Sequence, residues 1–115
     1  MSEGAARQWR LFVDDMIVCG ERAVHYASKF DQAEFFRNQL YVDATLRNLE
    51  LIGEAASRIP ADVRNEHADV PWRLLIALRN RLIHGYLGID NDTIWSVLQD
   101  DLPTLLEQLR LIKAS

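Results

Sequence analysis

Between Pro71 and Tyr86 the chain gathers an arginine, an asparagine, a histidine and a tyrosine within eight residues, Arg79-Asn80-Arg81-Leu82-Ile83-His84-Gly85-Tyr86, with Arg73 shortly before them. These side chains supply what RNA cleavage without a metal ion requires. A 2'-hydroxyl must lose a proton, a 5'-oxygen must gain one, and the phosphorane between them must be matched by positive charge. Histidine moves protons near neutral pH, and the permanently charged arginine fork holds phosphate oxygens.

At about 100° per residue, Leu74, Leu75, Ile76, Leu78, Leu82 and Ile83 fill an arc of roughly 200° with Arg79 at its middle. Asn80 and His84 stand one turn apart on the other side, and Arg73 falls between them two to three turns earlier, so the three form one polar strip. An arginine inside an apolar arc must snorkel, pair with a carboxylate or point into a cleft. Two readings of Arg79 stay open on pattern alone: an ion pair with Glu50 or Glu54, and a cation presented to phosphate. The two glutamates in turn either orient Arg79 or share a solvated face with Arg47 and Arg58. His84 near a helix C-terminus also suits the helix dipole without any catalytic role.

The elements that position these residues read as helix throughout, because apolar residues recur at three- and four-residue intervals and only five glycines and three prolines interrupt them. A first helix is expected from about Ala6 to Ser28. Asp31 with Glu34 three residues later caps a short stretch that runs into a long, bent helix from Asn38 to Ile59, ended by Pro60. Ala61 to His67 reads as a short helix, and Pro71 opens the helix that carries Arg79 and His84. Gly85 and Gly88 close it. Asp90 or Asn91 caps a last stretch from Asp92 to Lys113, in which Pro103 forces a kink or a fresh start with Asp100 or Asp101 as cap.

At 115 residues and 13.2 kDa, with 49% apolar and 26% charged residues, the chain is expected to form one domain over residues 1–115 with a single core. The lone Cys19 excludes an internal disulfide framework and a zinc site built on cysteine pairs. His25 and His67 lie far apart with no carboxylate at ligand spacing, so neither a metal nor a cofactor is expected. No apolar run approaches the roughly 20 residues of a membrane helix, and the first residues lack a secretion-signal pattern, which suits a cytoplasmic protein. The net charge of −4 requires any nucleic-acid contact to be local. Trp9, Trp72 and Trp95 read as core or interface anchors in preference to base-stacking platforms, since none sits in a basic cluster.

The string Arg79 to Tyr86 resembles the Arg-x4-His-x-Tyr signature of HepT-like toxins in the HEPN superfamily of helical ribonucleases. The flanks are similar too. Asn48-Leu49-Glu50-Leu51-Ile52-Gly53-Glu54-Ala55-Ala56 resembles the family's long-helix segment and Val70-Pro71-Trp72-Arg73 the start of its motif helix. Gly88-Ile89-Asp90, Trp95 and Asp101-Leu102-Pro103 resemble its carboxy-terminal portion. The resemblance implies an all-α, HEPN-type antiparallel helical bundle that forms a homodimer in which two motif helices meet around a composite cleft. It implies a toxin with metal-independent endoribonuclease activity, Arg79 and His84 as the catalytic pair, and Asn80 and Arg73 in support. It also implies a nucleotidyltransferase antitoxin of the MntA type that transfers AMP to Tyr86. In such a dimer an arginine centred on an apolar arc faces the partner helix, and Gly53 lets the long helix approach closely.

Two other functions compete. One is a non-catalytic HEPN adaptor that binds a nucleotidyltransferase partner or a nucleotide. The other is a plain helical bundle in which Arg79 is a salt-bridged core residue and Tyr86 a packing residue at a helix end. The intact arginine–histidine pair favours the ribonuclease.

Overall fold

The three- and four-residue apolar spacing folds as helix along the chain in a computed structural model that describes residues 2–84 and 88–115. The helices are α1 (Glu3–Ala27), α2 (Gln32–Arg37), α3 (Gln39–Ser57), α4 (Ala61–Glu66), α5 (Trp72–Ile83), α6 (Asn91–Ser96) and α7 (Leu102–Ala114). No strand occurs among the described residues. Gly85, Tyr86 and Leu87 lie outside them, and with Tyr86 the expected modification site.

Local chemistry sets the helix ends. Helix α1 begins before Ala6 because the Ser2 side chain accepts the Ala5 N–H. Asp31 and Glu34 form a reciprocal capping box, with Asp31 Oδ1 accepting the Glu34 N–H at 2.8 Å and Glu34 Oε1 accepting the Asp31 N–H at 3.1 Å. The expected bend in the long helix is a break at Asn38, whose backbone (φ −105°, ψ 89°) is not helical. Asp90 caps α6 by accepting the Thr93 N–H at 2.7 Å. That bond holds its carboxyl below the usual carboxylate range.

A fresh helix does start at Pro103, since α7 begins at Leu102 with Asp101 at its N-cap position, but no side-chain cap bond opens it. Val97–Asp101 instead forms a π-helical turn that runs directly into α7, with the Leu102 N–H donating to the Val97 carbonyl. The wider turn takes the chain into α7 with Pro103 in its first turn, where a missing N–H costs least. Neither aspartate side chain caps the helix.

The main helix contacts run in the order α7, α1, α3, α5. Met16, Ala23, Phe35, Ile52, Ala56, Ile94, Leu98 and Leu109 are among the residues closed in the core. Helix α3 lies between two neighbours and buries two sides, whereas α5 lies at the end of the series and packs chiefly on α3. Trp9 and Trp72 are buried, and Trp95 stacks at an angle on Phe35 with ring centroids 5.5 Å apart, so all three serve packing. Cys19 is buried, and burial pushes its thiol pKa up. Among the described residues no helix is long and apolar enough to cross a membrane, and no three His, Cys, Asp or Glu side chains cluster as metal ligands.

Candidate active site

The site begins where α3 and α5 touch. A Cβ on Gly53 would stand 2.3 Å from Arg79 Cβ and 2.6 Å from the Leu75 carbonyl oxygen, so only glycine permits this approach. The long helix does come close at Gly53, and the residue it meets is Arg79. With its stem laid over the glycine, the arginine extends its head to the next residue of α3.

There, Arg79 Nη1 lies 3.2 Å from Glu54 Oε2, and Arg58 Nη2 lies 3.2 Å from the same carboxylate's Oε1. Glu50 is held separately, 3.1 Å from Arg47. Both readings of the glutamates are realised: Glu50 belongs to a surface pair with Arg47, while Glu54 joins Arg58 to Arg79. The Arg79 side chain is 23% exposed and its Nε is buried without a partner among the described residues. It lines a cleft of about 330 Å³ together with Arg47, Glu50, Leu51, Glu54 and Ile83. Only one Arg79 nitrogen pairs with Glu54, and Glu50 is engaged by Arg47, so the fork keeps N–H groups that neither carboxylate uses. Half-exposed ion pairs of this kind add little stability; what Glu54 supplies is orientation.

His84 stands elsewhere. It is the C-cap of α5, exposed, with its backbone N–H donated to the Leu82 carbonyl. Five helical residues separate it from Arg79, a rise of about 7.5 Å and a rotation of about 140°. The arginine therefore leans on α3 while the histidine faces solvent, and His84 does not line the arginine's cleft. Arg73 and Asn80 are exposed like His84, so the polar strip of the helical wheel is present. Beyond it, Arg81 donates to the Gly88 carbonyl and joins the end of α5 to the chain that leads into α6. Gly88 has φ +78°, a backbone that other residues rarely adopt.

The apolar arc of α5 is only partly covered. Leu82 is buried and Leu75, Ile76 and Leu78 are half-buried, but Leu74 is 71% and Ile83 51% exposed. A groove of about 490 Å³ runs beside Leu74, Leu75 and Leu78 towards Val97, Thr104 and Gln108, where α5 and α7 do not close on each other. Arg58 was legible as a helical neighbour of Glu54, whereas Arg64 did not stand out in the sequence, because its surroundings depend on how α4 and the start of α5 come together.

The chain matches the family model described as Ribonuclease HepT-like over residues 16–112. It is 32% identical over 106 residues to a Methanocaldococcus jannaschii protein named "Putative RNase MJ1380", covering 92% of this chain and 97% of that one. It is 31% identical to a Thermococcus cleftensis protein named "Probable ribonuclease HepT", over 90% of this chain and 97% of the relative. A relative from Caldanaerobacter subterraneus, also named as an RNase, is 34% identical over 69% of this chain and 70% of its own length. No solved structure matches.

Proposed function

Because the chain belongs to the HepT-like ribonuclease family, we propose that it is the endoribonuclease toxin of a toxin–antitoxin pair, cutting RNA without a metal ion. The observation that carries this reading is the guanidinium of Arg79, fixed by Glu54 at the edge of a cleft with N–H groups to spare. An arginine kept only for packing has no need of an open cleft. In one chain His84 points away from that cleft, so the working site is a composite of two copies related by a two-fold axis. The exposed Leu74 and Ile83 flank α5 and supply apolar surface for that contact.

In the composite cleft, one His84 takes the proton of the 2'-hydroxyl as its oxygen attacks the phosphorus. The two Arg79 forks hold the phosphorane oxygens, and the second His84, as imidazolium, protonates the departing 5'-oxygen. The products are a 2',3'-cyclic phosphate and a free 5'-hydroxyl.

Control falls to a nucleotidyltransferase antitoxin of the MntA type. The Tyr86 phenol oxygen attacks the α-phosphorus of ATP, loses its proton and releases pyrophosphate, leaving an AMP phosphodiester on the tyrosine. That charge and bulk compete with RNA for the same cleft.

The test is incubation of the purified protein with total RNA in excess chelator, followed by analysis of the ends. Cleavage with 2',3'-cyclic phosphate is expected. Intact RNA overturns the ribonuclease and leaves the adaptor, which binds the nucleotidyltransferase without cutting. With ATP and the nucleotidyltransferase added, an AMP adduct on Tyr86 and loss of cleavage are expected. An adduct on another residue, or a modified protein that still cuts, overturns the control scheme.

A further inference from the structure

A second cationic groove lies at the other end of α5. It has a volume of about 430 Å³ and is lined by Arg64 and Asn65 of α4, Trp72, Arg73 and Leu74 of α5, and the residues between the two helices. Two guanidiniums line this groove and no carboxylate does: Asp62, Glu66 and Asp69 neighbour its lining residues in the chain without lining it, and Asp69 lines the groove on the far side of Pro71. Neither Arg64 nor Arg73 makes an ion pair among the described residues, and Arg64 Nε is buried there with no hydrogen-bond partner. The outer N–H groups of both guanidiniums have no side-chain or backbone acceptor among the described residues either, so the groove fits a ligand that brings acceptor oxygens.

The backbone adds donors at the same place. Helix α5 starts at Trp72 behind Pro71, which offers no side-chain cap. The Trp72 and Leu75 N–H groups donate to the Val70 and Pro71 carbonyls, while those of Arg73 and Leu74 have no acceptor among the described residues. Unpaired N–H groups and the positive end of the helix dipole thus open onto a groove already lined by two guanidiniums. The groove is held in shape by Trp72, whose indole donates to the His67 carbonyl at 3.0 Å, and by Gln108 of α7, whose amide donates to the Asp69 carbonyl at 2.9 Å.

We infer that the Arg64–Arg73 groove binds a backbone phosphate of the RNA strand, away from the bond being cut. The inference rests on the ribonuclease reading and extends it from the cleaved phosphate to the path of the strand. Arg73 shares the exposed strip of Asn80 and His84, eleven residues before His84, which is a rise of about 16 Å at nearly the same angle. At the stacked rise of roughly 3.4 Å per nucleotide of one strand, that distance is about five nucleotides, and fewer if the strand is extended. A strand lying along the strip therefore reaches the groove with one phosphate while another sits near His84.

The test uses the full chain and a labelled 12-nucleotide strand made entirely of 2'-O-methyl RNA, which lacks the attacking hydroxyl and cannot be cut. Its binding is followed by fluorescence anisotropy across a salt series. Arg64→Gln and Arg73→Gln should each weaken binding several-fold, and the double variant should lower the slope of log affinity against log salt by roughly 0.7, the value for one phosphate no longer neutralised. Asn65→Asp changes an exposed residue of the groove lining without removing packing, and it should weaken binding as well. Unchanged affinity and slope in Asn65→Asp and in whichever glutamine variants fold overturn the inference. So does a groove that takes inorganic phosphate while the strand binds equally to every variant. Cleavage of an all-ribose strand by the wild type is measured beside it. Failure to cut with loss of affinity in the variants overturns the ribonuclease and keeps the groove, whereas cutting with unchanged variant affinity does the reverse. A wild type that binds no RNA overturns both.

Discussion

Arg79 and Glu54 are joined at 3.2 Å across the α3–α5 contact, and the other oxygen of the same carboxylate lies 3.2 Å from Arg58. One glutamate therefore positions the guanidinium proposed to hold the phosphorane, and a second arginine holds the glutamate. Removing the carboxylate should leave Arg79 charged but free to wander. Glu54→Gln is expected to lower kcat for RNA cleavage by about tenfold while KM stays level or falls, because a negative charge leaves the cleft. Its thermal stability should change little, as half-exposed pairs are worth about 1 kcal/mol or less. A loss confined to KM would mean that Glu54 does not orient the arginine.

Arg79→Ala and His84→Ala should each reduce cleavage by on the order of 10² or more, the usual scale for loss of an oxyanion contact or a general acid/base. Single-turnover rates with saturating RNA provide the measurement. Full activity in either variant removes that residue from the mechanism.

The angle of about 140° between Arg79 and His84 on one helix makes a stronger prediction. Mixing wild-type and His84→Ala proteins one to one should leave cleavage at about a quarter of the level given by wild type alone at the same total concentration. In the proposed dimer only about a quarter of the particles then keep both histidines that the composite cleft uses. A level of about one half after subunit exchange would show that each chain works with its own histidine.

Gly53→Ala should disturb the fold and the site together. The added methyl meets Arg79 Cβ and the Leu75 carbonyl oxygen at distances no real Cβ tolerates, and the second of these is backbone. Overpacking of this kind costs about 1–3 kcal/mol, while alanine's better helix propensity returns up to about 1 kcal/mol. A fall in Tm of several degrees is expected, with cleavage reduced beyond what the lost stability explains. An unchanged Tm would show that α3 and α5 do not pack as closely as the structure has them.

Asp90 links the last part of the fold to pH. The Thr93 N–H that it accepts lowers its pKa in the folded chain, so the cap stabilises above the unfolded value of about 3.9 and is lost as pH falls through the lower folded value. The Tm difference between the wild type and Asp90→Ala should be present at pH 7 and shrink as the solution is taken below about pH 4. A difference that stays constant into strong acid would show that the charge of Asp90 plays no part in capping α6.

Helical periodicity, Pro60, Pro71 and the Asp31–Glu34 pair were enough to read an all-helical chain and to place most helix ends within a few residues, because caps and apolar spacing act over one or two turns. The angular separation of Arg79 from the strip of Arg73, Asn80 and His84 was legible for the same reason, since rotation about a single helix depends only on residue number. Which carboxylate meets Arg79 was not. Glu50 and Glu54 lie one turn apart on α3, and only the crossing of α3 over α5 at Gly53 decides that Glu54 faces the arginine while Glu50 is left to Arg47. The π-helical turn before Pro103 was hidden too, because the chain's answer to a missing N–H depends on how α7 must lie against α1. The Arg64–Arg73 groove belongs to the same class: two cations from different helices become one feature only when the link between α4 and α5 folds back, held by Trp72 on the His67 carbonyl. Sequence determines what each helix presents around its own axis, and packing between helices determines which of those faces meet.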